Sequence, residues 1–200
     1  AKREIIVTNT PDVLTQDTAD LTMALILMTP RRMGEGERIV RNNKWTGWTP
    51  TNLMGHRING KRLGIIGMGR IGKAVAQRAH YGLGMEILYA GRTPNPLLAP
   101  EICAEMLPLE EVLKQSDFVT LHCPSTPQTY HLIDEAAFEL MQPHAHLINT
   151  ARGNVVNEKA LVNAIESGEI AGAGLDVYEN EPEVASGLIG LEQVVLLPHM

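Results

Sequence analysis

Three glycines, Gly67, Gly69 and Gly72, have the spacing Gly-x-Gly-x-x-Gly, which indicates a binding site. They follow the apolar run from Leu63 to Ile66 and precede apolar residues at helical spacing, the strand, turn and helix context of a dinucleotide site. The first glycine would make the tight turn, the second would let a pyrophosphate approach, and the third would let helix and strand pack closely. Because a helix N-terminus has free N–H groups that attract anions, the stretch predicts a dinucleotide-binding turn.

The residues that end the second predicted strand indicate which dinucleotide would bind. About 20 residues after the third glycine, NAD sites carry an acid that binds the ribose hydroxyls. This chain has Gly91 there, followed by Arg92 and Thr93, and no acid between Glu86 and Glu101. Without a carboxylate a 2'-phosphate is not repelled, and a guanidinium binds phosphate through its fork of donors. We therefore predict that NADP(H) is preferred over NAD(H); the alternative is that Arg92 is a solvated loop residue.

Apolar segments alternate with helical segments after the glycine turn, and this alternation predicts the fold. Strands are predicted at 63–66, 87–89, 118–121, 146–149, 170–177 and 194–197, and helices at 109–113, 134–141 and 157–167. Such alternation is typical of an α/β protein with a doubly wound parallel sheet covered on both faces. Ligands of these sheets bind at the carboxyl ends of the strands.

Two apolar segments precede the glycine turn. Ile5-Ile6-Val7 is predicted to be a short buried strand. A helix capped by Thr15 or Asp17 is predicted to run to Met28. Its second half is so apolar that we expect burial all round, in part against another subunit.

Both tryptophans of the chain, Trp45 and Trp48, lie in a loop rich in Gly, Pro and Thr that follows a polar helix within residues 31–43. Large aromatic side chains contribute contact area at low entropic cost. The loop is therefore predicted to be a contact surface; the alternative is that the two rings cover the core.

Composition excludes several classes of protein. With a net charge of -6 over 200 residues, the chain lacks the basic surface that nucleic acids or anionic membranes attract. Its longest apolar run, residues 21–28, is too short to span a bilayer. The two cysteines fit free thiols of a reducing compartment, and His144 and His146 have no third metal ligand nearby. We expect a cytoplasmic protein without a metal site.

Polar residues at three further strand ends complete the pattern. The segments are Ile148-Asn149-Thr150-Ala151-Arg152-Gly153, Leu175-Asp176-Val177-Tyr178-Glu179-Asn180-Glu181-Pro182 and Leu197-Pro198-His199. With the glycine turn and His122-Cys123-Pro124, they resemble the D-2-hydroxyacid dehydrogenase family from about Thr10 to Met200. Trp45-x-x-Trp48-x-Pro50 and Gly91-Arg92 are most similar to its glyoxylate and hydroxypyruvate reductase branch. The resemblance implies a Rossmann-type cofactor domain.

The resemblance also implies an activity, the reduction of small 2-oxo acids such as glyoxylate and hydroxypyruvate to 2-hydroxy acids by hydride transfer. Arg152 would bind the carboxylate and the carbonyl oxygen as a bidentate cation. His199 would act as general acid, and as general base in the reverse direction, because an imidazole titrates near pH 6.5, roughly neutral pH. Glu181 would orient that imidazole and favour its protonated form.

Family similarity assigns cofactor contacts as well: Arg70 and Ile71 at the pyrophosphate, Cys123, Pro124 and nearby Thr129 on the adenosine side, Thr150 and Ala151 beside the nicotinamide, and Asp176 on its carboxamide. It implies a homodimer in which Trp48 reaches the substrate pocket of the partner subunit.

The implied domain organisation is that of a partial enzyme. Residues 1–14 would end a crossover from the substrate domain, residues 15–60 would form interdomain and dimerisation elements, and residues 61–200 would form the cofactor domain. The rest of the substrate domain would be absent, so we expect that the chain alone would not convert substrate. Two alternatives remain: an NAD-dependent sibling acting on phosphoglycerate or D-lactate, and a dinucleotide-sensing binding protein like the corepressors that keep the same Arg, Glu and His.

Overall fold

The structure is a computed structural model that describes residue 8 and residues 12–94 and 100–200. The predicted strand Ile5-Ile6-Val7 lies outside these residues. The helices are α1 (Thr15–Met28), α2 (Met33–Arg41), α3 (Arg70–Leu83), α4 (Leu109–Gln115), α5 (Glu135–Leu140), α6 (Glu158–Ser167) and α7 (Ser186–Ile189). The strands are β1 (Arg62–Ile66), β2 (Glu86–Ala90), β3 (Glu105–Met106), β4 (Phe118–Leu121), β5 (His146–Asn149), β6 (Gly172–Leu175) and β7 (Val194–Leu196).

The strands form one seven-stranded sheet in the order β3-β2-β1-β4-β5-β6-β7, and every pairing is parallel. Helices α1 and α3 pack on one core, and α4, α5 and α6 pack on a second core. Successive strand residues alternate between the two: Ile65 joins the first and Ile66 the second, as do Ile148 and Leu147. The predicted doubly wound α/β fold is confirmed.

The register of the central strands aligns their carboxyl ends. Ile66 pairs with Leu121, Leu121 with Asn149, Asn149 with Leu175, and Leu175 with Leu196. These five residues end their strands. The loops that follow them therefore lie along a single edge of the sheet.

The start of α1 differs from the prediction. Its N-cap is Leu14, with no side-chain hydrogen bond, so the predicted cap by Thr15 or Asp17 is wrong. The Thr15 N–H instead donates to the carbonyl of Asp12. This backbone turn precedes the helix, which begins at Thr15 itself. Residues 21–28 are all buried or half-buried, as their composition predicts.

Four short elements were not predicted: β3, α7 and single turns of 3-10 helix at Pro100–Ile102 and Gly153–Val155. None is longer than four residues, which is too short for apolar periodicity to show. The strand predicted at 170–177 is confined to Gly172–Leu175.

The tryptophan loop does not cover the core. Trp45 is 61% exposed and Trp48 is 78% exposed. Residues 41–52 are all exposed, and α2 has no buried residue. The alternative that the rings cover the core of this chain is therefore wrong.

A matched pair of glycine substitutions in α3 tests the packing of the glycine turn. A Cβ on Gly72 would lie 2.4 Å from the carbonyl oxygen of Gly67, whereas a Cβ on Gly82 would have no atom within 4 Å. We expect Gly72→Ala to lower the free energy of unfolding by about 1–3 kcal/mol through overpacking. Gly82→Ala should raise it by about 0.5–1 kcal/mol, because alanine favours a helix. Urea unfolding measures both, and equal effects would contradict the close approach.

Candidate active site

The three motif glycines have different surroundings. Gly67 has a φ of +99°, and a Cβ there would lie 2.8 Å from the backbone of His122 and Cys123. Gly69 faces open space, because a Cβ added there would have no atom within 4 Å. The turn is thus closed against β4 at its first glycine and open to a ligand at its second.

The N-terminus of α3 is suited to an anion. Its N-cap is Gly69 and no side chain caps it, so the first-turn N–H groups of Arg70 and Ile71 lack a capping acceptor. The Arg70 guanidinium lies 2.9 Å from the carboxylate of Asp12, and both side chains are well exposed. No motif indicates this Asp12 partner, which lies far from Arg70 in the sequence.

Gly91, Arg92 and Thr93 follow β2 and are all exposed. β2 pairs directly with β1, the strand that leads into the glycine turn. The Gly67 N–H donates to the carbonyl of Ala90 at 2.9 Å. A ligand on the glycine turn would therefore meet the residues that follow Ala90.

The loop after β4 holds its own shape. The Thr129 hydroxyl donates to the carbonyl of Pro124 at 2.6 Å and accepts the Thr126 N–H at 2.8 Å. Burial raises the pKa of the Cys123 thiol. Burial also lowers the pKa of His122 to about 3, so that imidazole is neutral at physiological pH. The hydrogen bonds of Thr129 therefore fix the shape of this loop. The thiol of Cys123 is neutral and adds no charge to it.

The turn after β5 carries Arg152. The Asn149 side chain donates to the carbonyl of Arg152 at 3.0 Å and accepts the Ala151 N–H at 3.0 Å. The Arg152 side chain is exposed and donates to the carbonyl of Ala151 at 2.6 Å. The hydroxyl of Thr150 points back to Thr22 of α1, at 2.8 Å.

His199 and Glu181 form the closest acid–base contact of the site. His199 Nδ1 lies 2.7 Å from Glu181 Oε2. The other oxygen of Glu181 accepts the Tyr178 N–H at 3.0 Å. The bond from His199, and then that from Tyr178, hold the pKa of Glu181 below its usual value. The predicted pairing of these two side chains is thus present, although 18 positions separate them.

Tyr178 links the loops on which this pair stands. Its hydroxyl donates to the carbonyl of Leu197 at 2.7 Å, two residues before His199. Burial, with the charge of Asp176 second, raises the pKa of Tyr178 to about 12. Asp176 is 3% exposed and accepts the N–H of Met200 at 3.0 Å. Backbone bonds therefore flank His199 on both sides.

Arg152, Glu181 and His199 line one open cavity of about 710 Å³. Ser125, Tyr178 and Asn180 are among its other walls. The cavity lies at the carboxyl edge of the sheet, as predicted. Trp48 and Arg92 are not part of its lining.

Three residues that the motifs did not single out for chemistry anchor the cavity wall. The backbone N–H groups of Glu158 and Glu179 each donate to the other's carboxylate at 2.7 Å. A Cβ on Gly153 would lie 1.9 Å from the backbone of Tyr178. The two glutamates resemble ordinary surface charges in the sequence, so no pattern could have found their exchange of bonds.

Two kinds of feature are absent from the described part of the chain. It contains no group of three or more His, Cys, Asp or Glu side chains able to hold a metal ion. Within the same residues, no helix has the length and apolarity needed to cross a bilayer.

Together, the sheet order, the open glycine turn and the strand-end cavity define a dinucleotide-binding domain of the Rossmann type. The family model described as D-isomer specific 2-hydroxyacid dehydrogenase, NAD binding domain, matches residues 23–200. The chain belongs to this family, which confirms the resemblance noted from its motifs.

Known relatives agree with this assignment. The chain is 51% identical over its full length to glyoxylate reductase of Thermococcus litoralis, and it covers 61% of that protein. The solved structure of the TT0316 protein from Thermus thermophilus superposes with a TM-score of 0.92 at 46% identity, over 99% of this chain and 62% of that one. A glyoxylate reductase from Paecilomyes thermophila gives 0.88 at 41% identity, over 98% and 58%. The chain spans about 60% of the length of the curated relatives it matches.

Removing the imidazole tests the electrostatics of the pair. We expect His199→Ala to raise the pKa of Glu181 towards 4.5, because the bond from His199 is the main cause of its lowering. In the unsubstituted chain the pair stabilises the fold above pH 4.5, and this contribution is lost as the pH falls through the lowered pKa of Glu181. Carboxyl-carbon NMR titration measures the change. His144→Ala, which removes a partner of Asp117 instead, should leave Glu181 unaffected; a Glu181 that titrates alike in both variants would contradict the contact.

Proposed function

We propose that this chain is the cofactor domain of an NADPH-preferring reductase that converts glyoxylate and hydroxypyruvate to glycolate and D-glycerate. The observation that carries the proposal is the convergence of Arg152, Glu181 and His199 on one cavity, which lies at the same edge of the sheet as the glycine turn. The similarity to glyoxylate reductases over the full chain supports the substrate class.

The residues present fit a dinucleotide. The glycine turn is open at Gly69, and the uncapped N-terminus of α3 suits a pyrophosphate. The proposed contacts are Gly67, Gly69, Arg70, Ile71 and Gly72 at the pyrophosphate, Gly91, Arg92 and Thr93 at the ribose, Cys123, Pro124 and Thr129 along the adenosine side, Thr150 and Ala151 at the nicotinamide, and Asp176 at the carboxamide. When bound, the cofactor supplies a hydride to the carbonyl carbon of the substrate.

The chain's own residues would bind the 2-oxo acid and supply the proton. Arg152 binds the carboxylate and the carbonyl oxygen, which neutralises charge that develops on that oxygen. His199 Nδ1 is occupied by Glu181, which leaves Nε2 to deliver a proton to the same oxygen. With the hydride that the bound cofactor would supply, this proton would convert the carbonyl group of the 2-oxo acid to a hydroxyl group. Glu181 holds the ring in place through its 2.7 Å contact with Nδ1.

The direct test measures NADPH and NADH oxidation by the full-length protein with glyoxylate, hydroxypyruvate and pyruvate. We expect fast NADPH-linked turnover of the first two. His199→Ala should lower kcat by about 10²- to 10⁴-fold, and Glu181→Gln should move the pH midpoint of reduction to lower pH. His144→Ala serves as the control, with unchanged rates.

Other outcomes of that test separate the alternatives. Turnover of another 2-oxo acid with NADH would favour a sibling dehydrogenase. Dinucleotide binding without turnover of any substrate would favour a sensor. If Glu181→Gln left the pH midpoint of reduction unchanged, the pairing of His199 with Glu181 would play no part in the mechanism.

The preference for NADP(H) is carried by the residues after β2, where an exposed cation replaces the acid. We expect Arg92→Asp to reduce the NADPH-to-NADH ratio of kcat/KM by about 10- to 100-fold, because a charge-assisted phosphate contact becomes a repulsion. Lys159→Asp in α6 makes the same change of charge elsewhere and should leave the ratio unchanged. Equal ratios in both variants would show that Arg92 is a solvated loop residue.

We also propose a homodimer in which Trp48 contacts the partner's substrate pocket. The rings of Trp45 and Trp48, which are 61% and 78% exposed within the exposed segment 41–52, support this, because exposed apolar area marks an interface. A cytoplasmic location is proposed on the two free cysteines, Cys103 and Cys123.

A further inference from the structure

Helix α1 contacts the candidate site through one buried hydroxyl, that of Thr22. Thr22 has 0% exposure. Its Oγ1 lies 2.8 Å from the Oγ1 of Thr150, a residue 128 positions later that directly follows β5. This bond joins a helix outside the glycine-turn unit to the turn that carries Arg152.

The direction of this bond follows from counting protons. The Thr22 hydroxyl donates to the carbonyl of Thr18 at 2.8 Å, and a hydroxyl has one proton. Thr150 must therefore be the donor to Thr22. The proton of Thr150 is directed into the protein, and Thr150 is itself only 8% exposed.

The other bonds of the turn do not replace this one. The Asn149 side chain bonds to Ala151 and to Arg152, so it fixes the internal shape of residues 149–152. Among the described residues, the bond between Thr22 and Thr150 is the hydrogen bond that joins the turn to α1. It therefore helps to set where the turn lies relative to the helix, whereas Asn149 sets the internal shape of the turn.

We propose that Thr22 is a positioning residue: by accepting the proton of Thr150 it holds the turn that carries Arg152 in register with the cofactor and the substrate. The proposal rests on the proposed function, because it gives that turn its role. Thr22 touches neither ligand and acts only through Thr150.

The test compares four variants in the full-length protein: Thr22→Val, Thr22→Ser, Thr150→Val and the double valine variant. Thr22→Val removes the acceptor and leaves a buried donor unpaired, so we expect kcat/KM for the 2-oxo acid to fall about 10-fold. Thr22→Ser keeps the hydroxyl and should stay within about twofold of the original activity. Thr150→Val strands no donor but alters a residue that we place at the nicotinamide, so it serves as the reference: because Thr22 acts only through Thr150, the double variant should be no worse than Thr150→Val alone.

Thr29, the C-cap of the same helix, provides a matched control. It is 5% exposed, and its hydroxyl donates to the carbonyl of Leu25 at 2.8 Å, as Thr22 does to Thr18. Thr29→Val should lower thermal stability without changing kcat or KM. If Thr22→Val likewise lost only stability, or if the losses of the two single valine variants multiplied in the double variant, the positioning role would be overturned.

Calorimetric binding of NADPH keeps this test independent of turnover. We expect Thr22→Val to raise the Kd for NADPH at least about 3-fold, whereas Thr22→Ser should leave the Kd close to its original value. A protein that reduces no 2-oxo acid would refute the proposed function, and the binding series would still decide whether Thr22 positions the turn. An NADPH Kd within twofold in all variants would reject the proposal.

Discussion

The parallel register of the sheet is the constraint on which the site depends. The carboxyl ends of β1, β4, β5, β6 and β7 form a row, so loops far apart in sequence emerge side by side. If one strand shifted its pairing register by one residue, each of its side chains would move to the opposite face of the sheet. The loop that follows the strand would be displaced as well. Core packing on both faces of the sheet thus fixes where the loops of the candidate site lie at the carboxyl ends of the strands.

At that edge, hydrogen bonds to backbone groups do most of the positioning. Asn149 holds the turn of Arg152, Tyr178 bonds Glu181 and Leu197, and the two glutamates Glu158 and Glu179 bond each other's N–H groups. Satisfied buried polar networks rigidify a site, because an unpaired member would be costly. Arg152, by contrast, is exposed and remains available to a ligand.

Much of the fold could be predicted from the sequence, because strands such as β4 and β5 and helices such as α6 carry clear apolar patterns. The glycine turn and the pairing of His199 with Glu181 could also be anticipated, from motif spacing and family resemblance. What could not be predicted depends on contacts between distant residues: Thr22 with Thr150, and Arg70 with Asp12. The predicted cap of α1 was wrong because a backbone turn at Asp12, rather than a capping side chain, precedes that helix.

The place of the acid–base pair in the sheet has a consequence for folding kinetics. Parallel strands are joined by crossovers, so each pairing closes a long loop, and such topologies form slowly. Glu181 follows β6 and His199 follows β7, which among the described residues is an edge strand that pairs only with β6. The pair is therefore assembled only once this edge strand has docked. Local opening of β7 would separate the two side chains while the rest of the sheet stayed folded, so the contact between His199 and Glu181 would be lost before the glycine turn opened.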